Sequence, residues 1–127
     1  MKKFLLLAVL MLPVAAPASA LTESEVRQCR AMAATFGPKK AEFDKMTAHR
    51  DALAAAAEEA GEAWEAAEEL RNFGADLAVS AADADAKKAA YDDARAAFER
   101  GQQAWAATGQ QLNADFAAFN AKCATED

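Results

Sequence analysis

Between residues 77 and 119 the chain sets Leu77, Ala84, Tyr91, Phe98, Trp105, Leu112 and Phe119 at a constant spacing of seven. Seven is the heptad period, in which two helical turns return an apolar side chain to the same face and wind it against a partner helix. Upstream, Phe43, Met46, Leu53, Ala57, Ala60, Trp64 and Ala67 alternate steps of three and four, and Arg50 alone interrupts them. The two stripes predict two long helices that bury one seam against each other. The surrounding residues are mostly Ala, Glu, Asp, Lys, Arg and Gln, all but Asp strong helix formers, and no β-branched run suggests a strand.

Local punctuation sets the expected boundaries. Gly37-Pro38 reads as one break and Asn72-Phe73-Gly74 as another. Ser80 with Asp83 reads as a new N-cap, with Asp85 adding negative charge to the first turn. Three helices are therefore expected, near 22–36, 38–72 and 80–123. The fold class is all-α: a long antiparallel two-helix hairpin, coiled-coil-like and alanine-rich, with a short N-terminal helix completing a three-helix base. Thr22 and Glu25 have capping-box spacing, and Leu21 and Val26 are placed for a hydrophobic staple.

The first twenty residues do not belong to that pattern. Lys2 and Lys3 precede an apolar run from Phe4 to Leu12, Pro13 and Pro17 interrupt its far half, and Ala18-Ser19-Ala20 is a signal-peptidase motif. The run is too short to serve as a spanning helix. Residues 1–20 thus read as a cleaved signal peptide and residues 21–127 as a single helical domain, placed in the periplasm or secreted. In that oxidising setting the only two cysteines, Cys29 and Cys123, are expected to form a disulfide. Their pairing makes opposing residue numbers total about 152. The turn then falls near residue 76, beside Gly74. The same register sets Gly61 against Tyr91, Gly109 against Phe43 and Glu65 against Lys87, with Glu58 and Arg95 one position off.

Charge narrows the function classes. The whole chain carries −6; without Lys2 and Lys3, 12 basic residues face 20 acidic ones, a net of −8. Such a surface disfavours nucleic acid and anionic membranes, whose binding needs cations on the protein. Residues 51–99 hold 13 acidic and 4 basic side chains. Glu58, Glu62, Glu65 and Glu69 share a helix face. They lack the Glu-x-x-His partner of bundle metal sites, and no metal or cofactor is expected. His49 is the sole histidine, and the serines after residue 20, Ser24 and Ser80, sit at expected helix starts. No nucleophile has an activating base, so no catalytic residue is assigned and no enzyme is expected.

What remains is binding. Leu70, Phe73, Leu77 and Val79 crowd the expected turn and form the candidate partner-binding tip, although they also suit closing the hairpin end. The leading expectation is an exported protein-interaction module of the cell envelope, adaptor or chaperone-like, as a monomer or weak dimer. Its partner would be another envelope or secreted protein, possibly basic. The alternatives are a small-molecule or cation carrier using a pocket around Trp105 and His49, and an acidic immunity or inhibitor protein. The exported product is expected to begin at Leu21, which intact-mass measurement of the secreted material reads directly; a product retaining residues 1–20 would overturn the cleavage site.

Overall fold

A computed structural model describes residues 20–74 and 76–124. The proposed signal peptide, apart from Ala20, lies outside the described residues. Two helices fill the rest: α1, Glu23–Phe73, and α2, Leu77–Cys123. At 1.5 Å per residue they are about 77 and 71 Å long. They pack against each other as an all-helical hairpin.

The start of α1 follows its sequence signals. Thr22 is the N-cap: its Oγ1 accepts from the backbone N–H of Glu25, and the Glu25 carboxylate accepts from the Thr22 N–H at 2.7 Å. The expected break at Gly37-Pro38 is absent, so there is no separate short helix and no three-helix base. Pro38 sits inside α1, its ring exposed. A proline usually clashes with the Cβ and N–H of the residue before it. Here that residue is glycine, which has no Cβ to clash with the ring. Packing on both sides of the proline then holds the helix together. Phe36 stacks on Phe116 at 4.2 Å and meets Phe119 edge-on at 5.4 Å, while Lys39 pairs with Asp115 at 2.5 Å.

The far end also differs in detail. α2 begins at Leu77, one turn earlier than expected, because Asp76 caps it by accepting from the Val79 N–H at 3.2 Å. Ser80 is therefore inside the helix. It has another role: its Oγ lies 2.8 Å from where a Cβ on Gly74 would sit, and that Cβ would also strike the Leu70 carbonyl oxygen. Glycine at 74 lets the chain turn this tightly between the helices.

The register is the one expected. Cys29 and Cys123 are bonded, with Cα atoms 5.7 Å apart and 94 residues between them in sequence. In the chain-entropy account, closing so long a loop stabilises by about 4–5 kcal/mol. A Cβ on Gly61 would touch Tyr91 at 3.3 Å, and one on Gly109 would touch Phe43 at 3.2 Å. Gly101 does the same for Leu53, which would lie 2.7 Å from its Cβ. Along α1 the seam residues from Phe43 to Ala67 are all buried or partly buried, as are those of α2 from Ala84 to Phe119. Among the described residues the buried apolar core is only Cys29, Ala67 and Ala84.

Pro38 deletes one helical hydrogen bond, and it is exposed. Pro38→Ala should raise stability by roughly 1–3 kcal/mol in chemical denaturation. A loss of stability would show that the proline shapes α1.

Candidate functional site: the hairpin tip

Leu70, Phe73, Leu77 and Val79 are 61%, 86%, 61% and 66% exposed. The structure brings all four together at one end of the rod, around the three-residue connection. Their exposure follows from the register. Leu77 continues the heptad stripe, but it is the first residue of α2, at the end of the seam. Phe73 is the last residue of α1. Elsewhere among the described residues, the only exposed large apolar side chain is Phe116, at 39%.

Polar groups border this cluster. Arg71 reaches Glu68 at 3.2 Å and, across the hairpin, Asp85 at 3.5 Å. Glu68 also accepts from the Trp64 indole N–H at 3.3 Å. Behind them Trp64 stacks on Tyr91 at 5.4 Å, Lys88 lies 5.5 Å from the Trp64 ring centre, and Lys88 pairs with Asp92. Ala67 and Ala84 let the helices close tightly just below the tip. The tip is thus an apolar cap on a well-fixed stem.

The other candidate positions fall apart. The expected pair Glu65–Lys87 does not form, and neither does Glu58–Arg95: Arg95 pairs with Glu99 at 3.1 Å on its own helix. Glu58, Glu62 and Glu65 line an open groove of about 480 Å³ with Tyr91, Arg95 and Phe98, whereas Lys87 lines a different groove with Glu59 and Ala63. Equal height along a hairpin does not put two side chains on the same side of the seam. His49 is exposed, and the face of Trp105 is taken by Arg50, whose guanidinium carbon lies 4.2 Å from the ring centre. The Trp105 N–H donates to Thr47 Oγ1 at 2.9 Å, and Phe43 stacks on the same ring at 5.6 Å. Arg50, which looked like a fault in the seam, is therefore a lid on Trp105. The signal for it was the aromatic residue that the register places less than one turn away.

Among the described residues no group of three or more His, Cys, Asp or Glu is arranged to hold a metal ion, and no helix is long and apolar enough to cross a membrane. No protein-family model matches the chain, and no curated protein and no solved structure matches it.

Two carboxylates near the base have lowered pKa values. The Thr22 backbone N–H, then its hydroxyl, holds Glu25 down. For Asp115 the Lys39 ammonium is the main cause and the Gln111 amide the second. A depressed carboxylate adds stability that is fully present above its ordinary range and is lost as pH falls through the lowered folded value. Acidification should therefore weaken the hairpin base. The E25Q/D115N variant, which has neither carboxylate, should show a shallower loss of melting temperature between neutral pH and pH about 2; an unchanged slope would place the acid response elsewhere.

Proposed function

We propose that the protein is a non-catalytic interaction module of the cell envelope, exported to the periplasm or beyond, which contacts another envelope or secreted protein through the hairpin tip. The observation that carries this reading is the exposure of Leu70, Phe73, Leu77 and Val79, from 61% to 86%, where every other large apolar side chain among the described residues except Phe116 is at least partly buried. Clustered exposed apolar residues with a polar border are the usual composition of a contact patch. The supporting rod suits the role. Its disulfide-bonded base and tight stem hold the patch at the end of the rod opposite Cys29 and Cys123. The absence of an activated nucleophile in the sequence fits an adaptor or chaperone-like part better than an enzyme.

The test combines F73S/V79S with a photocrosslinking residue at the exposed Asn72. The parent protein should form a defined crosslinked product in the envelope, and the double variant should lose it. Helicity should be unchanged and stability altered by no more than about 0.5 kcal/mol, as for ordinary surface substitutions. A fall in melting temperature of many degrees would mean that Phe73 and Val79 are packing residues, and the tip reading would fail.

A further inference from the structure

We infer that the tip receives a basic amphipathic segment of its partner, one in which cationic side chains flank a short apolar face. This rests on the reading of the tip as a contact surface and adds the chemistry of what binds there. The apolar centre is Phe73 and Val79 with Leu70 and Leu77. Its border is acidic. Glu69 stands one helical turn before Phe73 on α1, and Asp83 one turn after Val79 on α2. Both are exposed, and neither belongs to an ion pair among the described residues. Of the cations close by, Arg71 is already shared between Glu68 and Asp85, and Lys88 is held by Asp92, while Lys87, one turn beyond Asp83, is the one cation there in no ion pair among the described residues. The whole segment 51–99 carries a net −9. The net field at the patch therefore favours positive charge.

That field separates three occupants of an exposed apolar cap. A second copy of this tip would bring Glu69 and Asp83 against their own images, and like charges brought together oppose association. An anionic bilayer would accept the apolar side chains but repel the border. A cationic amphipathic segment satisfies both the centre and the border, and the charge of the rod would also steer it in from solution.

The probes are a short Leu/Lys amphipathic helical peptide, its Leu/Glu counterpart, and vesicles of phosphatidylcholine with phosphatidylglycerol, each titrated against the disulfide-closed protein. The Leu/Lys peptide should bind, more weakly as salt rises. F73S/V79S and E69Q/D83N should each reduce that affinity by roughly tenfold or more, with helicity unchanged. Equal binding of the Leu/Glu peptide, preferential binding of the vesicles, tip-dependent self-association, or binding indifferent to E69Q/D83N would each overturn the inference. Binding that F73S/V79S leaves intact would also overturn it, because the peptide would then be adsorbed on the acidic helix faces. The two levels separate cleanly. A tip crosslink that F73S/V79S abolishes, with no charge preference among the peptides, defeats the basic-segment inference alone; a crosslink that survives F73S/V79S defeats the contact reading itself.

Discussion

Each helix of this hairpin has a single neighbour, and that limits how any side chain can be buried. A large residue on the seam is covered on one side and remains partly open on the other, so the aromatics from Phe36 to Phe119 are half-buried at best. The deepest burial goes to small residues between the two helices, Ala67 and Ala84, and to Cys29 at the bonded base. Alanine-rich composition and close helix approach are two aspects of the same limit. Each alanine removes little apolar area from water. The chain compensates with length, with stacked rings, and with a covalent bond across its open end.

The same limit explains how polar groups are used. With no enclosed core, the ion pairs lie on the surface, where a pair contributes at most about 1 kcal/mol. Most of them stay within one helix. Those that cross between helices sit near the two ends of the rod, Lys39–Asp115 towards the base and Arg71–Asp85 by the tip. Between them Trp105 is held by Thr47, Phe43 and Arg50, so one aromatic anchors the middle of the rod through a hydrogen bond, a stack and a cation at once.

The hairpin and its register were legible because they rest on the period of seven and on one cysteine pair, both of which are properties of the sequence alone. The glycine positions opposite Tyr91 and Phe43 followed from that register. Local punctuation was less dependable. Gly37-Pro38 looks like a stop, yet a glycine before the proline removes part of the clash, and Phe36 and Lys39 pin the flanking turns to α2. Asp76 and Ser80 were both competent caps one turn apart, and the earlier one is used. The expected Glu65–Lys87 pair failed for a geometric reason: the two residues are level along the rod but line different grooves. The tip cluster was visible as four apolar residues in a row of ten. Their exposure was not, because it depends on how abruptly Gly74 ends α1.

The base has a mechanical consequence. The start of α1 and the end of α2 lie at the same end of the rod, and the bond between Cys29 and Cys123 joins the two helices there. A pull applied to the two termini is carried from one end to the other through sulfur, so the ninety-odd residues beyond it feel no load. Under tension the hairpin behaves as a closed loop hung from a single link, and its far end keeps its shape while the ends are strained.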